Sequence, residues 1–191
     1  MLENYGTFSW FPVWHYSVVV GYDLPELEVV RRSGTRARIT TPFTIFEKIW
    51  KEEKYWAMVA IPPDRVPATA SEARYTAAVV ALEQTGQTRS AITAYDTLLK
   101  RWPGSLAGRL GRGNAAYALH DLATGEDSFR QATVDHPDAA AAFNNLAQVL
   151  AERGKLDEAL PAAERAVSLG GPLLVITQAT PAEIRKASPE K

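Results

Sequence analysis

The spacing of apolar positions changes once along this chain. From Tyr16 to Ile61 they come in short β-branched and aromatic runs, and from Glu72 to Leu169 they recur every three or four residues, as on a helix. In the first stretch, Tyr16 to Tyr22 is an apolar run ending in Gly21-Tyr22-Asp23-Leu24-Pro25, which reads as a strand followed by a turn. Leu27 to Arg31 and Thr35 to Thr40 predict a hairpin across Ser33-Gly34. Pro42 opens a helix through Lys51, and its Phe43, Phe46, Ile49 and Trp50 are spaced to lay one apolar face on the sheet. Tyr55 to Ile61 is expected to return as a last strand. The first 63 residues therefore predict a small antiparallel sheet with one crossing helix.

In the second stretch like residues recur 34 positions apart: Tyr95 and Phe129, Leu98 and Ala132, Pro103 and Pro137, with Ala91, Gly125 and Ala159 marking the period three times. That is the length of a helix-turn-helix repeat. One such unit cannot bury its apolar face alone, so the prediction is a stacked, right-handed array of three units, 72–105, 106–139 and 140–171, each splitting into two helices near Gly86, His120 and Gly154. Thr69-Ala70-Ser71-Glu72 reads as a capping box, with Thr69 serving the free amides of the first turn. The fold class is α+β, a small sheet followed by an all-helical array. Gly170-Gly171 stops the last helix, and 172–191 is expected to cover the end of the array, with a second capping box at Thr180-Pro181-Ala182-Glu183 and a disordered tail.

Composition sharpens the boundary. Four of the five tryptophans precede residue 64, whereas Thr69 to Leu169 is alanine-rich, and the three prolines of Pro62-Pro63-Asp64-Arg65-Val66-Pro67 make 64–68 a stiff linker. A formal net charge of -1 gives no long-range attraction to nucleic acid or anionic lipid. No run approaches the roughly 18 apolar residues of a membrane-spanning helix. His15, His120 and His136 lack metal-ligand spacing, so no metal and no cofactor is expected. Arg31, Arg32, Arg36 and Arg38 are read as a solvated hairpin rather than an anion clamp, because strand alternation splits them between two faces.

Position by position, the helical stretch resembles the tetratricopeptide repeat family. Tyr75 and Phe143 stand at the bulky site of the first helix, Val79, Gly113 and Ala147 at the small site where two helices touch, Ala91, Gly125 and Ala159 at the tight crossing, Tyr95 and Phe129 at the wedge against the next unit, and Leu98, Ala132 and Ala166 along the seam. Arg109 and Arg112 depart from the family's large apolar preference, which together with Gly125 points to a looser middle joint. The resemblance implies a hollow side that receives a protein or peptide, lined here by Thr76, Val80, Asn114, Tyr117, Asn144 and Gln148. Amides and a phenol at these positions suit the backbone of an extended or helical partner.

The segment His15-Tyr16-Ser17-Val18-Val19-Val20-Gly21-Tyr22-Asp23, after the aromatic loop Phe8 to Trp14, resembles the histidine-bearing half of papain-like cysteine peptidases related to bacteriocin-processing peptidases. The resemblance implies that His15 holds the position of the general base. The chain has no cysteine to serve as its nucleophile, and Arg31-Arg32-Ser33-Gly34 offers no carboxylate where the family's third member stands. Asp23 is the nearest substitute, and its Asp-Leu-Pro-Glu context is that of a turn.

Two readings of function follow. In the first, the array is a protein- or peptide-binding scaffold attached to a truncated or inactive peptidase segment. In the second, the chain is a piece of an active bacterial cysteine peptidase in which His15 is the base and the repeats recruit substrates; that family resemblance allows a periplasmic or membrane-anchored location. A third possibility is self-association, with the incomplete sheet of Tyr16 to Ile61 pairing an exposed edge with another copy or another chain.

Overall fold

The computed structural model describes residues 2–4 and 14–170, with side chains from Tyr16 onward. All but the last residue of the loop Phe8 to Trp14, and the whole closing segment 172–191, lie outside the described residues. The chain divides into two units, one up to Ala60 and one from Ile61.

The first unit is an antiparallel sheet of β1 (Leu2–Asn4), β2 (Trp14–Asp23), β3 (Glu28–Ser33) and β4 (Arg36–Pro42), in that spatial order. β1 meets only the start of β2, Leu2 opposite Tyr16 and Asn4 opposite Trp14, so β2, β3 and β4 form the body of the sheet. A bulge between Val19 and Gly21 leaves Val20 without an opposite residue on β3. The β3–β4 turn passes through Gly34 at φ +56°, a left-handed conformation that glycine adopts without a Cβ clash. Val29, Arg31 and Ser33 of β3 share the buried face with Ser17 and Thr41. Arg31 is thus not solvated as expected. Its Nε donates to Thr41 Oγ1 at 2.9 Å and its Nη1 to Ser17 Oγ at 3.4 Å, while Arg32, Arg36 and Arg38 are exposed.

Helix α1 (Phe43–Glu52) follows Pro42, as the pattern predicts. The expected strand over Tyr55 to Ile61 does not form. Lys54 and Tyr55 take positive φ angles (+50° and +57°) and turn the chain back, the Trp50 indole donates to the Trp56 carbonyl at 2.9 Å, and the Trp56 ring sits 6.0 Å from that of Tyr16. The β-forming residues of this segment line a cleft instead of joining a ladder.

The second unit is three helical hairpins: α2 (Glu72–Gln84) with α3 (Thr88–Arg101), α4 (Leu106–Ala118) with α5 (Leu122–Asp135), and α6 (Ala140–Glu152) with α7 (Leu156–Leu169). The chain reverses at the three predicted positions, Gly86, His120 and Gly154, each with positive φ. Helix α2 starts at Glu72, yet its cap is Ser71, whose Oγ accepts the Arg74 amide at 3.4 Å. Glu72 is then the first helical residue and stands too early to close a capping box with Thr69. Ser105 and Asp121 cap α4 and α5 by accepting the amides of Gly108 and Thr124, both at 3.1 Å. Upstream, the Tyr75 hydroxyl donates to the Arg65 carbonyl at 3.0 Å and fastens the proline-rich segment to α2.

The core of this unit lies between successive helices. Tyr75, Val79, Ala91, Tyr95 and Leu98 form one buried cluster, and Phe129, Leu146, Val149, Leu150 and Ala163 form a second. Between them α4 contributes glycines. A Cβ at Gly111 would overlap the Tyr95 ring, and one at Gly113 would overlap the Phe129 ring. Gly125, by contrast, has its nearest neighbour, the Gly113 carbonyl oxygen, 3.5 Å from where a Cβ would stand.

These two glycines predict opposite outcomes. Gly125→Ala removes the penalty of a glycine inside a helix and meets only ordinary contacts, so it should raise stability by up to about 1 kcal/mol. Gly113→Ala forces the Phe129 ring aside and should cost about 1–3 kcal/mol by overpacking. Denaturant midpoints at unchanged m-value measure both; equal effects would contradict the packing described.

Candidate functional site

The first helices of the three hairpins, α2, α4 and α6, form one row, and hydrogen bonds cross that row. Asn145 Nδ2 donates to Asn114 Oδ1 at 3.1 Å, and Gln148 Nε2 donates to the Tyr117 hydroxyl at 2.9 Å. The Tyr117 hydroxyl in turn donates to Glu152 Oε1 in a very short contact. This bond to Glu152, with partial burial, pushes the Tyr117 phenol above its ordinary value, so it stays protonated and serves as donor and acceptor at once. Asn114 and Gln148 are exposed, Tyr117 is half-buried and Val80 is 39% exposed. Asn114 with Asn145, and Tyr117 with Gln148, thus present paired amides and one phenol across α4 and α6.

Two of the predicted residues turn inward. Asn144 is buried, at 6% exposure, and the Thr76 hydroxyl is buried without a hydrogen-bond partner among the described residues. They occupy the same place in their units, 68 residues or two periods apart, and that place faces the packed side in both. Asn145 holds the open position instead. Neither it nor Glu152 was singled out by the repeat register; the only signal was the Asn144-Asn145 doublet, in which one step around a helix changes the face by about 100°.

The opposite row carries a polar seam. Arg112 Nε lies 2.6 Å from Asp96 Oδ1 and its Nη1 donates to Ser128 Oγ at 2.7 Å, joining α3, α4 and α5. Arg109 Nε pairs with Asp135 at 3.4 Å. The middle unit's arginines therefore link neighbouring helices through their charged ends, beyond the apolar cover expected of their stems. Nearby, buried Glu126 accepts from Arg153 Nη1 at 2.6 Å, Arg130 Nη2 at 2.7 Å and Lys155 Nζ at 2.9 Å, and Arg130 reaches on to Glu158 at 2.8 Å. Burial alone would raise the Glu126 carboxyl; the hydrogen bonds from Arg130 and Lys155 and the charge of Arg153 outweigh it and hold the group below its ordinary value.

In the first unit His15 lies in β2 opposite Glu3, with its side chain outside the described residues. Asp23 ends the same strand, eight residues on and about 26 Å away at strand rise. It accepts the Glu26 amide at 3.3 Å, the bond of a turn, and is too distant to orient an imidazole at position 15. His136 donates from Nε2 to the Gly104 carbonyl at 2.8 Å, and His120 occupies the turn between α4 and α5. Among the described residues no cluster of histidines and carboxylates could hold a metal ion, and no helix is long and apolar enough to cross a membrane.

A family model described as "Tetratricopeptide repeat" matches residues 75–127 and 110–172. No curated protein matches the chain. Among solved structures, the first such domain of Spaghetti (RPAP3), bound to the HSP90 peptide SRMEEVD, is 19% identical and covers 61% of this chain and 91% of its own, with a TM-score of 0.57. The TPR2B domain of yeast Sti1 in its pHsp70 complex is 15% identical over 61% of this chain and 98% of its own, at 0.58. The Yersinia enterocolitica type III secretion chaperone SycD, in complex with a peptide of the translocator YopD, is 16% identical over 63% and 98%, at 0.57. At these identities the likeness carries the fold of the helical array.

Because the Glu126 carboxyl is depressed, its stabilising effect is complete above the ordinary glutamate range and is lost as pH falls through the folded value. Glu126→Gln should cost about 1–3 kcal/mol at neutral pH, and the gap between variant and parent should close under acid. Chemical unfolding across pH checks this; a gap independent of pH would sink the assignment.

Proposed function

Because the chain belongs to the tetratricopeptide repeat family, we propose that it is a protein- or peptide-binding scaffold and that the row of first helices is its binding face. The observation that carries this reading is the cross-repeat set Asn114, Tyr117, Asn145 and Gln148. These groups are joined to one another, which fixes their orientation, and they keep spare donors and acceptors toward solvent. A peptide laid across them exchanges its backbone amides and carbonyls for water at little ordering cost, since the receiving side chains are already held. Binding of peptides by RPAP3 and SycD on the same fold supports the reading. Val80, 39% exposed, extends the face toward α2, whereas Thr76 and Asn144, whose polar groups turn inward, belong to the packed side of their helices.

For the first unit the reading is a papain-like peptidase segment that lacks its nucleophile and is inactive as it stands. What favours it is the placement of His15 at the start of a strand that runs to Gly21-Tyr22-Asp23, with no cysteine anywhere in the chain. The alternative, a peptidase acting with His15 as general base, needs a thiol from another part of a longer protein.

Two measurements test these statements. Captured partners, identified from a bound fraction and remeasured as purified ligands, should bind Asn114→Ala/Gln148→Ala at least about tenfold more weakly, a loss of roughly 1.4 kcal/mol, with the unfolding midpoint changed little because both side chains are exposed; unchanged affinity rejects the face. The 191-residue chain should leave peptide substrates intact. Hydrolysis that His15→Ala abolishes would establish the catalytic alternative.

A further inference from the structure

Charge is distributed unevenly over the first helices of the hairpins. α2, α4 and α6 contain three basic residues, Arg74, Arg109 and Arg112, and none of them joins the row of Asn114, Tyr117, Asn145 and Gln148. Arg109 and Arg112 turn to the opposite seam, where Asp135 and Asp96 take them. Arg74 holds the place that Gly108 and Ala142 fill, buried, in the next two units. Arg153 and Lys155, just past α6, are bound to Glu126.

Acidic groups do reach the row. Glu152 accepts the Tyr117 hydroxyl through Oε1. Glu83 stands 31 residues before Asn114, as Tyr117 stands 31 before Gln148, its hydrogen-bond partner. Glu83 Oε2 accepts the Tyr95 hydroxyl at 2.9 Å, and that hydroxyl lies 2.6 Å from where a Cβ of Gly111 would stand, one turn before Asn114. Each carboxylate is therefore held by a tyrosine through one oxygen, and among the described residues its other oxygen has no donor. Backbone dipoles act in the same sense. The bonds from Asn145 to Asn114 and from Gln148 to Tyr117 advance together along α6 and α4, so these helices run parallel and their negative carboxyl-terminal ends lie on the side of Glu152.

We propose that the partner of this face is a basic peptide segment, whose lysine or arginine side chains pair with Glu83 and Glu152 while its backbone bonds to Asn114, Asn145 and Gln148. The proposal rests on the row of first helices being the binding face and names the class of partner it takes. Carboxylates already oriented by Tyr95 and Tyr117 receive a cation at little ordering cost. An acidic segment, or a free carboxyl terminus, meets like charge and finds no lysine or arginine of α2, α4 or α6 on the row to offset it.

The test offers a random peptide library to the immobilised 191-residue chain. Retained sequences should be enriched in lysine and arginine and depleted in aspartate and glutamate relative to the input. A retained peptide, synthesised and measured alone, should bind Glu83→Gln/Glu152→Gln about two- to fivefold more weakly, the size expected of exposed ion pairs, and should weaken as salt is raised. Glutamine keeps an acceptor for the Tyr95 and Tyr117 hydroxyls, so helical circular dichroism should be retained. If the double variant unfolds, Glu152→Gln alone, at an exposed position, decides by the same loss. Enrichment in acidic residues, affinity that the glutamines leave unchanged, or a library from which nothing is retained overturns the proposal. The underlying reading fails separately. Peptides that neither the glutamine pair nor Asn114→Ala/Gln148→Ala weakens bind elsewhere and remove the face, whereas a loss confined to the alanine pair keeps the face and refutes its basic preference.

Discussion

Two aromatic rings resting on two glycines hold the helical array together. Tyr95 comes from α3 and Phe129 from α5, and both lean on α4, where Gly111 and Gly113 leave the backbone bare. A helix written Leu-Ala-Gly-Arg-Leu-Gly-Arg-Gly-Asn-Ala-Ala-Tyr-Ala has few knobs of its own, so its neighbours supply them. The fit is tight enough that Tyr95 is 1% exposed, and its hydroxyl is then obliged to find a partner: it donates to Glu83 Oε2 of α2 at 2.9 Å. Burial, with Glu83 beside it, pushes the phenol well above its ordinary value and keeps the donated proton in place. One ring thus joins three helices, and each hairpin is defined only by the next.

Small residues at the joints also explain why the seams are polar. Where helix backbones approach closely, little apolar side chain remains to seal the outer rim, and charged side chains long enough to cross it do so instead. Arg112 spans from Asp96 to Ser128, and Glu126 collects three cations from its own helix and from the turn before α7. Pairs with one exposed partner contribute modestly to stability. Their directional bonds do fix the rotation of each helix about its axis, and through that rotation they fix which of two adjacent asparagines, 144 or 145, faces outward.

That dependence marks what was legible in the sequence. The 34-residue period is a burial signal repeated three times, so it placed the hairpins and their reversals at Gly86, His120 and Gly154 without reference to any one side chain. It could not choose between Asn144 and Asn145, because rotation is set by partners such as Glu152 and Tyr117 that come from different units. The cap at Ser71 in place of Thr69 is a matter of which oxygen reaches a first-turn amide, a distance rather than a pattern. In the sheet, alternation located β2, β3 and β4 and failed at Tyr55 to Ile61, where aromatic and aliphatic residues are selected by a cleft wall as readily as by a ladder. It also missed the burial of Arg31, whose hydrogen bonds to Thr41 and Ser17 join residues far apart along the chain.

The two units meet the demand for apolar burial in opposite ways. Repeats hide their apolar stripes by stacking, and helix after helix in the array buries alanine, leucine and valine almost completely. In the sheet, Val29 is the one apolar side chain buried among the described residues, while Tyr16, Val18, Val19, Val20, Tyr22 and Met58 stand in solvent. With roughly 25 cal/mol gained per Å² of apolar surface removed from water, such a sheet recovers little of the entropy its ordering costs. Its buried face relies on Arg31, Ser17 and Thr41, groups that give a hydrogen-bonded register but weak transfer energy.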